Sequence, residues 1–163
     1  MKKWWIFVLI FLLTGCGVSK DMETMLDVHS PLPTQQAEEI AVFVPEGAET
    51  LRGEDGGKIY LCDGFSIQIQ NLPAGDLDKT LRTVSGFSRE QLQIMEREEN
   101  DYNRIECVWA AAGEGEDQIC RAVILDDGVY HYALTLMCNA SQAGELTAKW
   151  KQIAASFTIN TDS

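Results

Sequence analysis

The run NRIECVWAAAGEGEDQICRAVILDDGVYHYALTLMC, residues 103–138, decides the fold. Three β-favouring segments, residues 103–112, 118–125 and 129–138, are parted by Gly113-Glu114 and by Asp126-Asp127-Gly128. Apolar and β-branched runs bounded by glycine and aspartate turns are the pattern of an antiparallel meander. Read as a two-residue type II′ turn, Gly113-Glu114 sets Ala112 opposite Gly115, Glu106 opposite Arg121 and Cys107 opposite Cys120. The Cys107 and Cys120 pair then falls at a non-hydrogen-bonded position, where side chains come closest and a cross-strand disulfide can form. The alternative is two reduced cysteines packed as small apolar residues.

Asp126-Asp127-Gly128 reads as a three-residue loop with glycine at the bulge position, which sets Ile124 opposite Tyr130, Ala122 opposite Tyr132 and Cys120 opposite Leu134. One apolar face follows, made of these residues with Ile105, Cys107 and Trp109, and it places Trp109, Tyr130 and Tyr132 together as candidate lining of a ligand pocket. Val108, Ile119, Val123, Ala133 and Met137 make the other face apolar as well. A sheet apolar on both faces needs a layer on each side. Leu146, Trp150, Ile153 and Phe157 recur at helical spacing and predict a helix over residues 142–156, after which residues 155–159 pack back on the sheet.

Upstream, residues 76–86 supply the second helix. Asp76 is placed to accept from the free amides of its first turn, Leu77, Leu81 and Val84 form its stripe, and Gly86 ends it. Ser88 with Gln91 matches a capping box, and residues 93–98 read as a strand edged with charge. Residues 58–62 and 65–70, joined by Asp63-Gly64, predict a hairpin whose second strand alternates Phe65, Ile67 and Ile69 with a wet face of Ser66, Gln68 and Gln70. Asn71 to Gly75 breaks that strand. The glycine-rich loop of residues 52–57 lacks the lysine and hydroxyl of a phosphate-binding loop and reads as a hairpin connection. Residues 40–44, closed by Pro45-Glu46-Gly47, predict the first strand.

The N-terminus says where the chain works. Lys2 and Lys3 precede an apolar run from Trp4 to Leu13, ten residues long, which is about half of what spans a bilayer. The run ends in Leu13-Thr14-Gly15-Cys16, which resembles the lipobox of bacterial lipoproteins. That resemblance implies a signal peptide over residues 1–15, a diacylglyceryl group on Cys16 that anchors the chain to the membrane, and a place on the extracytoplasmic face of the cell membrane. Residues 16–38, polar and carrying Pro31 and Pro33, read as a flexible tether, residues 39–160 as one domain and 161–163 as a tail.

Composition narrows the function. The formal charge is −12, and −14 once Lys2 and Lys3 leave with the signal, which argues against nucleic acid as a partner. Cys62, Cys107, Cys120 and Cys138 remain in the domain without CxxC spacing, and the histidines are His29 and His131, so no metal or other cofactor is implied. His131 reads as a partly exposed strand residue, on the face opposite Cys120. No Gly-x-Ser-x-Gly is present, and the acidic turns of Glu114, Glu116, Asp117, Asp126 and Asp127 do not match the ligand spacing of an EF-hand.

The order of elements resembles the PsbP-like domain, an antiparallel sheet between helices. The similarity lies in the proline turn after the first strand, the helix after the middle strands, the segment from Asp127 to Leu134 (DGVYHYAL) and the last helix ending in Ser156-Phe157. It covers residues 39–160 and carries no catalytic motif. It implies an α+β fold, an α/β/α sandwich, and a non-enzymatic accessory module that binds another envelope protein. A small ligand held between sheet and helix is the alternative. The lipobox and the four domain cysteines depart from the plant members and leave a photosynthetic role without support.

Overall fold

The computed structural model describes residues 34–53, 56–99, 101–113 and 115–160. The expected signal peptide, Cys16, the expected tether up to residue 33, Glu114 and residues 161–163 lie outside the described residues. Among the described residues nine strands and two α-helices follow in order: β1 Ile40–Ala41, β2 Glu49–Arg52, β3 Lys58–Cys62, β4 Phe65–Pro73, α1 Leu77–Ser85, β5 Gln93–Glu99, β6 Tyr102–Ala111, β7 Gln118–Asp126, β8 Tyr130–Asn139, α2 Thr147–Ser156 and β9 Thr158–Ile159. Seven strands form one antiparallel sheet in the order β2-β3-β4-β8-β7-β6-β5, and β1 pairs with β9 apart from it.

Helix α1 forms where its ends are satisfied. The Asp76 carboxylate accepts the amides of Asp78 at 3.0 Å and Lys79 at 3.4 Å. Gly86, at φ 79°, takes the left-handed turn that a side chain would strain, and its amide reaches the Arg82 carbonyl at 2.8 Å. Gln91 accepts the Ser88 amide at 3.0 Å, as the capping-box spacing predicts, over a single 3-10 turn of Arg89–Gln91. Leu81 is fully buried on Ile105, Cys107, Ala122, Ile124 and Ala133. Helix α2 covers the opposite face, where Trp150, Ile153 and Ala154 meet Phe65, Ile67, Val123, Leu125, Tyr132, Leu134 and Leu136. The sheet lies between the two helices, and the fold class is α+β as the pattern predicts.

Several expectations are corrected. Residues 40–44 give only the two-residue β1, which pairs with β9 (Ile40 with Ile159, Ala41 with Thr158). The first arm of the hairpin is instead β2, opposite β3. β4 does not break at Asn71. It continues to Pro73, which is tolerated because it is the last residue of the strand and its missing N–H costs no interior ladder bond. Helix α2 starts at Thr147 rather than 142, after a 3-10 turn of Ala140–Gln142, and without a side-chain cap at Leu146.

The registers move too. β6 and β7 pair Ala111 with Gln118, so residues 112–117 all belong to the connection. It cannot close as a two-residue turn. The chain folds back so tightly that a Cβ on Gly113 would lie 2.4 Å from the Glu116 carbonyl oxygen, while the Glu116 carboxylate takes the Ser141 amide at 2.8 Å. The shift is two residues, so faces are kept and partners change. Between β7 and β8 the last pair is Asp126 with His131, and Ile124 faces Ala133. The Asp127 carboxylate accepts the amides of Val129 at 2.8 Å and Tyr130 at 2.7 Å, which spends it on a wider turn. This shift is three residues, and an odd shift turns every β8 side chain to the other face.

Candidate functional site

The inversion of β8 disperses the expected pocket. Tyr130 and Tyr132 go to the α2 side with Leu134 and Leu136, whereas Trp109 stays on the α1 side beside Leu81 and Ile94. The tyrosines bind the chain itself. Tyr130 donates through Oη to the Gln35 carbonyl at 3.1 Å, and Tyr132 Oη accepts the Glu38 amide at 2.9 Å while donating to Asp127 Oδ2 at 2.9 Å. Residues 35–38, read from sequence as the end of the tether, are thus held against the domain. Burial, with the Asp127 carboxylate beside it, pushes the Tyr132 hydroxyl up to about 12.

The cysteine pairing also fails. Cys107 faces Ala122 and Cys120 faces Trp109, which leaves the two thiols diagonal to each other on one face. Diagonal Cα atoms on neighbouring strands are roughly 7–8 Å apart, beyond the usual reach of a disulfide. Cys62, Cys107, Cys120 and Cys138 are all free thiols. Burial pushes Cys107 up to about 11, and burial with Cys138 nearby does the same to Cys120. A nucleophilic thiolate needs the opposite shift.

His131 is 1% exposed, not a surface residue, and it shares the α1 face with Cys120. Its Nδ1 lies 2.7 Å from Thr80 Oγ1 on α1, and its Nε2 lies 3.5 Å from Asp126 Oδ1. Hydroxyl, imidazole and carboxylate in a row have the composition of a catalytic triad. Thr80, however, is 4% exposed within the helix face that packs on the sheet, so no substrate carbonyl reaches it. The row ties α1 to β8. Sequence reasoning missed it because it rests on the face of His131, and that face is set by the β7–β8 turn. Among the described residues no three His, Cys, Asp or Glu side chains gather as metal ligands, and no helix is long and apolar enough to cross a membrane.

Three surface features remain. On the α1 side the paired rows Thr135, Gln68, Ile59, Leu51 and Met137, Ser66, Leu61, Glu49 run from β8 out to β2. Leu51 and Leu61 are 41% and 42% exposed, beside the edge strand β2, whose four residues are all exposed. Apolar side chains left in water next to an unpaired strand edge are a liability unless something covers them. On the α2 side, a cleft of about 420 Å³ opens beyond the helix, over β5, β6 and β7. A more polar groove of about 720 Å³ runs between the β1 and β9 ribbon and strands β3 and β4, lined by Lys58, Tyr60 and Asn71 among others.

No protein-family model matches the chain, and no curated protein matches it in sequence. Solved structures do. The chain is similar to cyanobacterial PsbP (CyanoP) from Synechocystis sp. PCC 6803, with a TM-score of 0.57 and 9% identity over 78% of this chain and 93% of that one. It is also similar to a protein of Bacteroides thetaiotaomicron VPI-5482, with a TM-score of 0.52 and 9% identity over 76% of this chain and 46% of that one. At such identities the likeness is one of architecture, and together with the sheet enclosed by α1 and α2 it establishes that the chain carries a PsbP-like fold.

Proposed function

We propose that this protein is a lipid-anchored, non-enzymatic accessory module on the extracytoplasmic face of the membrane, which binds another envelope protein. The observation that carries the reading is the apolar strip of Leu51, Ile59 and Leu61 beside the β2 edge. The sheet faces under α1 and α2 are filled by the protein's own side chains, so this strip is surplus to the core. A protein partner suits it because the strip is bordered by polar Ser66, Gln68 and Glu49, the apolar centre and polar rim of an interface. The PsbP-like fold and the lipobox-like Leu13-Thr14-Gly15-Cys16 support an accessory role at a membrane.

The test is cross-linking and co-purification of the full-length protein from its own membrane, with Leu61→Lys, Leu51→Lys and Cys16→Ala run beside it. One envelope protein should be enriched with the parent chain and lost with the lysine variants, whose folding is unaffected because both leucines are exposed. Enrichment that survives both lysines sinks the surface, and the absence of any enriched protein, where a known membrane complex is recovered, sinks the partner reading. An anchor on Cys16 requires that Cys16→Ala leave the membrane fraction.

A further inference from the structure

The cleft beyond α2 differs from the apolar strip in face, in chemistry and in what it lacks. Its floor is the α2 side of three strands, where Gln93 pairs with Val108 and Val108 with Arg121, and Met95 pairs with Glu106 in the next row. Trp150 closes it on the helix side. Met95, 60% exposed, stands at its outer lip, a flexible side chain suited to adjust to what lies beneath it.

The charges there are not balanced. Glu106 accepts Arg104 Nε at 2.9 Å and Arg97 Nη2 at 3.0 Å, and Arg97 Nε also holds Glu99 at 2.6 Å. Arg104 spends its other two nitrogens on α2 carbonyls. Two arginines therefore share two glutamates, and a third, Arg121, is left over. Among the described residues it makes no hydrogen bond and no ion pair, although it is half-buried between Val108 and Leu136. In a chain of net charge −12 an arginine has carboxylates to choose from, and this one shares the cleft with Glu106 yet makes no ion pair with it, because Glu106 is taken by Arg97 and Arg104. A guanidinium with five donors and no acceptor beside Val108, Trp150 and Met95 is the complement of an anion carried on an apolar body. A cleft of about 420 Å³ matches a small molecule rather than a helix or a protein face.

We infer that this cleft binds a small amphiphilic carboxylate, with its head on Arg121 and its apolar body against Val108, Trp150 and Met95. The site is independent of the partner surface on the other face, so either can fail without the other. The overall negative charge of the chain does not forbid the anion, because at physiological salt charges beyond roughly 8 Å are screened whereas Arg121 is in contact.

The experiment is calorimetric titration of the full-length chain in lipid nanodiscs with 4-phenylbutyrate and with the neutral 4-phenylbutan-1-ol, after subtracting protein-free nanodiscs. The acid should bind more tightly than the alcohol, and Arg121→Gln should weaken the acid by about tenfold, the worth of one charge-assisted hydrogen bond, while leaving the alcohol unchanged. Arg121→Lys should keep the preference for the acid. Arg121 makes no hydrogen bond or ion pair among the described residues, so the melting temperature of Arg121→Gln should lie close to the parent's. Equal affinity for acid and alcohol, an acid preference that survives Arg121→Gln, an acid preference lost in Arg121→Lys, or no binding of either probe overturns the inference.

Discussion

Arg104 Nη2, on β6, donates to the carbonyl oxygen of Ala154 at 2.6 Å, in the last turn of α2. Its Nη1 reaches the Phe157 carbonyl at 3.2 Å, so one side chain satisfies two acceptors that the helix end leaves open. The arginine is 3% exposed and carries its charge into the core face, opposite the helix-end carbonyls and beside Glu106.

Removing it should cost more than any surface substitution. Arg104→Met leaves two carbonyls unanswered and Glu106 with Arg97 alone, and urea unfolding should show a loss of about 3 kcal/mol. Arg104→Lys keeps the charge but cannot fork to both carbonyls, and it should fall between. A loss near zero for Arg104→Met would show that water replaces the guanidinium.

Thr80→Val keeps the shape of the residue and deletes the hydroxyl that meets His131 Nδ1 at 2.7 Å. A buried imidazole nitrogen without its partner costs on the order of 1–3 kcal/mol. The cost should be absent when Thr80→Val is made in a His131→Phe background, and a double-mutant cycle measures this. Additive losses would mean that the two residues act separately.

Stability should fall in alkali. Cys107 and Cys120 are raised from 9.0 to about 11, and Tyr132 from 10.0 to about 12, by burial in each case. A raised value means the folded state holds its proton longer, so below pH 9 the three contribute in full, and their contribution drains as pH climbs past the unfolded values toward 11 and 12. The urea midpoint should be level from pH 7 to 8.5 and decline between 9 and 11. A chain with Cys107→Ala and Cys120→Ala, whatever its stability at pH 7, should lose most of that slope.

Four free thiols are a mass-spectrometric statement. Unfolded without reductant, the purified protein should take iodoacetamide at Cys62, Cys107, Cys120 and Cys138 alike. Protection of Cys107 and Cys120 together, lifted by reductant, would restore the pairing that the register denies.

Tyr132→Phe removes the hydroxyl that the Glu38 amide reaches at 2.9 Å. Hydrogen exchange at Glu38 should quicken by about five- to tenfold, for a bond worth about 1–1.5 kcal/mol, with β6, β7 and β8 unaffected. Unchanged exchange at Glu38 would mean that the segment is held by other contacts.

What the sequence discloses follows the range of the interaction that decides it. The cap at Asp76, the stop at Gly86 and the turn at Asp63-Gly64 rest on residues within a few positions of one another, and each stands where its spacing puts it. The meander, the charged strand β5 and the enclosure of the sheet by helices were legible for the same reason. Registers were not. Gly113 and Asp127 were read as turn residues, which they are, but the widths of their loops depend on Glu116 reaching Ser141 and on the Asp127 carboxylate turning back to the amides of Val129 and Tyr130. One odd shift then sent Tyr130, His131 and Tyr132 to the wrong sides, and the pocket, the disulfide and the surface histidine fell for want of correct registers. The Arg121 cleft carried no motif at all. It exists because Arg97 and Arg104 satisfy Glu106 first, which only the fold arranges.

The clasp between β1 and β9 also sets how the protein carries a load. A pull applied ahead of residue 34 arrives first at Gln35 and Glu38, gripped by two tyrosine hydroxyls, and next at two residue pairs, Ile40 with Ile159 and Ala41 with Thr158. Both tyrosines stand on β8, which is paired along its length with β4 on one side and β7 on the other, so the few contacts of the clasp are weaker than what holds the grip itself. Tension should therefore spend itself on the clasp, giving a short first extension in a single-molecule trace before the sheet yields. A domain hung by its leading end would have in these few contacts a mechanical fuse that lengthens the leash under strain and leaves the working faces folded.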